Sequence, residues 1–195
     1  MENARPSERR RNEKAKRALD ADGLRELALS YVARYATSSG RLRRYCQRKL
    51  RERGHIGEEE GAAPPDVESL VADFVSRGFV DDAGFAQMRQ DGLLRRGYGS
   101  RRVEATLRGD GISDDLRTAI EPGVANMREA AVAYARRRRF GPFARDTAIV
   151  DEPRRQKHLS AMMRAGHSHG DAIFVLKARD AETLVSWVEE ALEDE

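Results

Sequence analysis

Three glycines that follow apolar segments of helical period recur along the chain, at Gly54, Gly111 and Gly166. They are separated by 57 and 55 residues, and each one ends the middle member of a trio of predicted helices. Self-similarity at such a period is typical of repeat proteins, in which each unit buries its apolar face against its neighbours. The chain is therefore predicted to contain three copies of one three-helix unit.

The predicted helices depend on apolar spacing and on the residues that cap them. The first stripe runs from Leu24 to Tyr35 at intervals of three and four residues, which predicts a helix of about four turns. The composition of 173–176 would also suit a short strand, but helix is favoured because no partner strand is visible elsewhere. Candidate N-caps precede the later stripes, and they are Thr37, Ser38, Ser39, Asp81, Asp82, Ser113, Asn126 and Ser168.

Charge divides the chain into a basic body and an acidic end. The formal net charge is only +3, yet residues 180–195 hold 7 acids and no base, so the preceding 179 residues carry a net +10. Together with the helix pattern, this predicts an all-α protein of five segments. They are a disordered basic arm at 1–22, three-helix repeats at 23–79, 80–123 and 124–179, and an acidic C-terminal helix at 180–195.

Basic clusters recur near the junction of the first and second helices of each unit. The first lies between Arg34 and Arg53, where eight cations accompany one anion and Tyr35 and Tyr45 are interleaved. The second is Arg95, Arg96, Tyr98, Arg101 and Arg102, and the third is 136–139. One such cluster is often only a solvated face, but recurrence in three units favours a linear polyanionic or acidic partner.

Catalytic and metal sites find little support in the sequence. It contains neither a phosphate-binding glycine loop nor a Rossmann fingerprint. The tract 167–171 holds two histidines and Asp171, which could recruit a metal, but Ser168 and Asp171 also suit a helix cap, and capping is favoured. Cys46 is interpreted as a small core residue and 58–60 as a solvated acidic loop. We therefore expect no enzyme activity and no cofactor.

The expected cellular compartment is inferred from three features that the sequence lacks. No stretch approaches the roughly 20 apolar residues that span a bilayer, and the N-terminus has no apolar core of a secretory signal. The single cysteine excludes an intrachain disulfide. We expect a cytoplasmic protein, monomeric and without a membrane partner.

Residues 78–112 read GFVDDAGFAQMRQDGLLRRGYGSRRVEATLRGDGI and resemble the central repeat of the RecX family, regulatory proteins that act on the RecA recombinase. Residues 28–54 are similar to the first repeat of that family. Parts of the third unit, 140–143 and 164–168, resemble its alphaproteobacterial forms. The resemblance covers about 24–177; the insertion at 57–65, the N-terminal arm and the C-terminal helix depart from the common pattern.

The resemblance implies an elongated, curved solenoid that lies along the RecA filament on single-stranded DNA and restrains its ATP hydrolysis, strand exchange and co-protease function. Such proteins serve recombination, DNA repair and the SOS response, and duplex DNA is a possible further partner through its phosphates. Tyr98 has two interpretations, a packed aromatic at a turn or a contact residue. The alternative function is a general DNA-binding protein with helix-turn-helix-like units, which the scarcity of amide side chains disfavours. The candidate filament- and DNA-facing cations are Arg43, Arg44, Arg48, Lys49, Arg95, Arg96, Arg101, Arg102, Arg137 and Arg138.

Overall fold

A computed structural model describes residues 18–144 and 152–193, and its regular structure within these ranges is helical. The prediction of an all-α protein is therefore confirmed for the described residues. None of their helices is long and apolar enough to cross a membrane. The α-helices of the described ranges are α1 (Ala21–Val32), α2 (Ser39–Arg53), α3 (Val67–Ser76), α4 (Asp82–Arg95), α5 (Ser100–Asp110), α6 (Asp114–Ala119), α7 (Val124–Arg138), α8 (Glu152–Arg164), α9 (His169–Lys177) and α10 (Ala181–Glu193).

Serine N-caps begin helices where the sequence predicts them. The hydroxyl of Ser38 accepts from the backbone N–H of Arg41 at 3.2 Å, and that of Ser168 accepts from the N–H of Asp171 at 3.0 Å. Ser113 caps α6 in the same way. These bonds satisfy backbone donors that a helix start leaves unpaired. The segment 173–176 lies within α9, so the helical interpretation is confirmed.

Two helix ends differ from the prediction. The N-cap of α7 is Gly123, and Asn126 lies exposed in the first turn of the helix. The sequence pattern overlooked that a glycine in extended conformation can also precede a helix. The second difference is at the end of α1, which stops at Val32. Tyr35 therefore lies outside the helix whose apolar stripe was predicted to include it. The chain must turn there to reach the cap at Ser38.

The described chain separates into two compact units, and the division falls inside α4, after Phe85. In the first unit, α1 and α3 pack against α2. Residues 80–85 complete this unit: Val80 joins its core, and the Asp82 carboxylate accepts from the Ser39 N–H and hydroxyl at 2.7 and 2.6 Å. The predicted division into three repeats stays a prediction. The core of this unit contains Leu24, Ala28, Leu42, Cys46, Val67, Val71 and Phe74.

Residues 18–22 belong to the first unit, although the sequence assigned them to the arm. Leu19 is only 2% exposed, and its backbone pairs with Gly54 and Ile56, each at 3.0 Å. The Asp20 carboxylate then caps α1 by accepting from the Gly23 N–H at 2.7 Å. The pattern missed this because one buried leucine carries no periodicity. Residues 1–17, the greater part of the predicted arm, lie outside the described residues.

The core of the second unit is formed by α7, α8, α9 and α10. The acidic C-terminal helix, α10, packs on α7 and buries Leu184 and Trp187 in this core. The Trp187 ring stacks on Phe174 with centroids 4.5 Å apart, and the Arg128 guanidinium lies 4.8 Å from the Trp187 centroid. The described part of the predicted acidic segment is thus an integral layer of this unit, and residues 194–195 lie outside the described residues.

Two glycine turns cross within the second unit, one before α5 and one before α9. The Gly99 N–H donates to the Ala165 carbonyl at 3.0 Å, and the Arg101 N–H donates to the Gly166 carbonyl at 3.2 Å. A Cβ atom on Gly99 would overlap the Gly166 backbone. Gly166 also has a φ of 98°, which disfavours L side chains. Only glycine permits this approach.

Replacing Gly99 by Ala should lower the free energy of unfolding by roughly 1–3 kcal/mol, since the added methyl group must push the two turns apart. Gly109→Ala is the matched control, because a Cβ there meets nothing within 4 Å in α5. The control should gain about 0.5–1 kcal/mol. Urea titration followed by circular dichroism measures both, and equal stabilities of the two variants would contradict the proposed crossing.

Candidate functional site

The first basic cluster lies on α2, except for Arg34, which follows the end of α1. Leu42 and Cys46 face the core, which turns the cations of the helix toward the outer surface. Burial raises the pKa of the Cys46 thiol to about 11, so it stays protonated and serves as a core residue. Arg44 and Arg48 are exposed, whereas Arg43 and Lys49 are half-buried.

Carboxylates already accompany part of this cluster. The Arg43 guanidinium binds both oxygens of Glu68, at 2.7 and 2.8 Å. Glu52 lies 2.6 Å from the Lys49 ammonium and 3.4 Å from the Arg48 guanidinium, and the bond from Lys49 lowers the pKa of Glu52. Such exposed ion pairs contribute little to stability because solvent screens them. A phosphate could therefore replace these carboxylates at little cost.

A groove beside α2 holds a ladder of three tyrosines, and we call it the tyrosine groove. The Tyr31 and Tyr45 rings stack with centroids 4.2 Å apart and planes at 12°, and Tyr35 lies 5.4 Å from Tyr31. The groove has a volume of about 910 Å³. Arg34, Arg41, Arg48 and Lys49 also line it.

The second basic cluster surrounds the turn between α4 and α5. Its arginines are exposed, and their backbone belongs to the crossing of the two glycine turns. The Arg96 guanidinium donates to the Gly92 carbonyl at 2.7 Å. Tyr98 is half-buried against the core of the second unit, which supports its interpretation as a packed aromatic at the turn. The exposed members are Arg95, Arg96, Arg101 and Arg102.

The third cluster occupies the last turn of α7, where cations complement the negative end of the helix dipole. Its arginines lie over aromatic rings. The Arg136 guanidinium is 5.1 Å from the Phe143 centroid, and that of Arg138 is 5.9 Å from Phe140. Contacts of this kind contribute about 0.5–1 kcal/mol at exposed sites.

Arg137 joins the second and third clusters. Its guanidinium donates to the Arg96 carbonyl and lies 5.9 Å from the Tyr98 centroid and 5.5 Å from that of Tyr134. These contacts give Arg137 a role in holding the turn, in addition to the partner binding that the sequence predicts for it. Partner binding by the exposed Arg137 stays a prediction, and the sequence did not reveal its contacts with Arg96 and Tyr98 because these residues are remote along the chain.

The two histidines of the tract 167–171 have different environments, His167 being buried and His169 exposed. His167 is buried, and its Nε2 atom lies 3.1 Å from the Gly97 carbonyl. Burial lowers the pKa of His167, so the ring stays neutral more readily than in water. The Ser168 hydroxyl donates to the Asp171 carboxylate at 2.6 Å, in agreement with the predicted cap. Within 18–144 and 152–193, no group of three or more candidate metal ligands occurs.

Sequence reasoning missed the tyrosine groove as a unit. It noted Tyr35 and Tyr45 among the cations but placed Tyr35 on the buried stripe. The signal was the aromatic spacing 31, 35 and 45 across a helix end, which becomes a ladder only when α1 packs on α2.

The fold and the site define an all-helical protein whose described units carry arginine-rich surfaces and, in the first unit, a tyrosine ladder. No family model matches the chain. It is 32% identical over 175 residues to the regulatory protein RecX of Myxococcus xanthus. The aligned residues make up 88% of this chain and 93% of the relative. It is 28% identical over 168 residues to RecX of Agrobacterium fabrum, covering 83% and 87%. The chain belongs to the RecX family of regulatory proteins.

Arg137→Ala should lower the free energy of unfolding by about 1–2 kcal/mol, because it removes a hydrogen bond and two ring contacts. Arg95 is exposed, so Arg95→Ala should change the free energy of unfolding by less than about 0.5 kcal/mol. Urea denaturation compares the two. If both variants match the wild type, Arg137 does not hold the turn.

The second unit should lose stability as the pH falls below about 6.5, because the unfolded chain protonates His167 before the folded one does. His167→Gln keeps a donor for the Gly97 carbonyl and removes the titration, so the slope of stability against pH should become shallower. His158, whose pKa is lowered by burial and by Arg154, contributes in the same direction and serves as a second variant. An unchanged slope in His167→Gln, measured by urea titration from pH 5 to 8, would refute this.

Proposed function

We propose that the protein binds the RecA filament on single-stranded DNA and restrains its ATP hydrolysis, strand exchange and co-protease activity. One observation carries the proposal: the chain matches a protein named regulatory protein RecX over 93% of that protein's length. The resemblance of residues 78–112 to the central family repeat supplies RecA as the target. The protein would act in the cytoplasm, as a monomeric binding protein rather than an enzyme, in recombination, repair and the SOS response.

The second basic cluster is the strongest candidate for the contact surface. Its arginines are exposed, while hydrogen bonds of Gly99 and Arg101 to the opposite turn fix their backbone. A surface held in one conformation loses little entropy when it binds. Guanidinium groups also suit phosphates and carboxylates, so the same surface can contact DNA or an acidic face of the filament. Further proposed contact residues are Arg43, Arg44, Arg48 and Lys49 in the first unit and Arg137 and Arg138 in the second.

The proposed solenoid of three-helix units gives such a protein several weak contacts along one filament. Contacts on one chain reinforce one another because each raises the effective concentration of the next. Phosphate contacts of this kind do not depend on base sequence and weaken with salt. The alternative of a helix-turn-helix protein predicts preference for naked duplex DNA instead.

Reversing charge at Arg95, Arg101 and Arg102 to Glu should abolish co-sedimentation with preformed RecA filaments and inhibition of RecA ATPase. The substitutions leave the backbone bonds and the Cβ atoms of the turn in place. The matched control is Arg164→Glu, Lys177→Glu and Arg179→Glu, which changes the net charge equally at exposed positions of the same unit.

Filament binding that survives in the first triple variant would contradict the surface, and equal loss in both would show a general charge effect. Wild-type binding to filaments, single strands and duplex should be compared in parallel. Tighter binding to naked duplex than to filaments would favour the helix-turn-helix alternative.

A further inference from the structure

The tyrosine groove of the first unit ends in an exposed ring. Tyr31 and Tyr45 are half-buried and pack against the core, whereas Tyr35 is 59% exposed. The end of α1 at Val32 causes this difference, because a continued helix would have turned Tyr35 toward the core. Tyr35 is thus the outer end of an aromatic ladder whose inner members are fixed by packing.

The charge of the groove is positive along its length. Its lining includes Arg34, Arg41, Arg48 and Lys49, and among the lining residues within the described ranges none is acidic. Glu52 pairs with Lys49 and Arg48 from outside the lining, on an exposed surface where such pairs are weak. Burial raises the pKa of Tyr45, so its ring remains neutral beside these cations. An anion with an aromatic group matches both features.

A nucleotide has this combination of phosphate and flat aromatic base. Proteins that bind single strands without sequence preference join a positive groove to aromatic rings on which bases stack. Bases in a duplex already stack on each other and offer no open face to a ring. The volume of about 910 Å³ lies within the range of sites that hold small organic ligands.

We propose that the tyrosine groove binds an unpaired nucleotide of a single strand, with its base stacked on Tyr35 and its phosphate against Arg34 and Arg48. The inference deepens the proposed function, on which it rests for single-stranded DNA as a partner. It adds a subsite that binds unpaired bases, whereas the second basic cluster is proposed to bind negatively charged groups alone. Any of the four bases would fit, because each has a π face.

The test compares an oligo-dT of about 15 nucleotides with the same strand lacking bases, by fluorescence anisotropy at low salt. The wild type should bind the oligo-dT roughly fivefold to a hundredfold more tightly than the abasic strand. Tyr35→Ala should lose that difference, because the ring on which the base stacks is gone. Tyr35→Phe should retain it.

Phe79→Ala is the matched control, since Phe79 is an exposed aromatic of the same unit outside the groove. It should leave the preference for bases unchanged. Far-UV circular dichroism of every variant verifies that the exposed substitutions leave the helices folded. Equal wild-type affinity for the two strands, or an intact preference in Tyr35→Ala, would overturn the subsite.

Co-sedimentation with RecA filaments separates this inference from the proposed function. Filament binding without any preference for bases would overturn the subsite alone. A preference for bases that depends on Tyr35, without filament binding, would support the subsite and refute the proposed function. If Tyr35→Ala weakens filament binding and leaves the affinity for oligo-dT unchanged, the groove contacts an acidic segment of protein, and the nucleotide assignment is wrong.

Discussion

The crossing of two glycine turns is the constraint on which the second unit depends. Gly99 and Gly166 let the backbone before α5 approach the backbone before α9, and two N–H groups of the first turn, those of Gly99 and Arg101, donate to carbonyls of the second. His167 and Arg137 then bind the carbonyls of Gly97 and Arg96 in the same turn. Four separate groups therefore fix one short loop, and the exposed arginines around it project from a rigid base.

Arginine has two different tasks in this molecule. Some guanidinium groups lie over aromatic rings and complete the packing, as Arg128 does at Trp187 and Arg136 at Phe143. Others, such as Arg95 and Arg102, are exposed on a fixed backbone. The high arginine content thus serves the fold as well as the surface, since a planar cation packs against rings better than an ammonium group does. A count of cations alone cannot separate these tasks.

Local signals in the sequence predicted the helices well, because capping and apolar spacing act within a few residues. Ser38, Ser113 and Ser168 begin helices as expected, and Val103 and Leu107 are buried as their period requires. The crossing and the role of Arg137 could not be predicted, because their partners lie far away along the chain. Tyr35 was misassigned because periodicity does not reveal where a helix without a terminal glycine ends. The basic surfaces were predicted as clusters, but which cations are engaged within the protein depends on tertiary packing.

Residues 80–85 complete the first unit, although they lie beyond the predicted end of the first repeat at residue 79. Val80 fills the core of that unit, Asp82 binds the start of α2, and Phe85 receives the guanidinium of Arg41 at 5.6 Å. A fragment that stops at residue 79 would therefore expose an apolar hole and lose the carboxylate at Ser39. The first repeat, as predicted from the sequence to end at residue 79, is therefore not a self-contained building block: its duplication, deletion or exchange would have to include the first residues of α4.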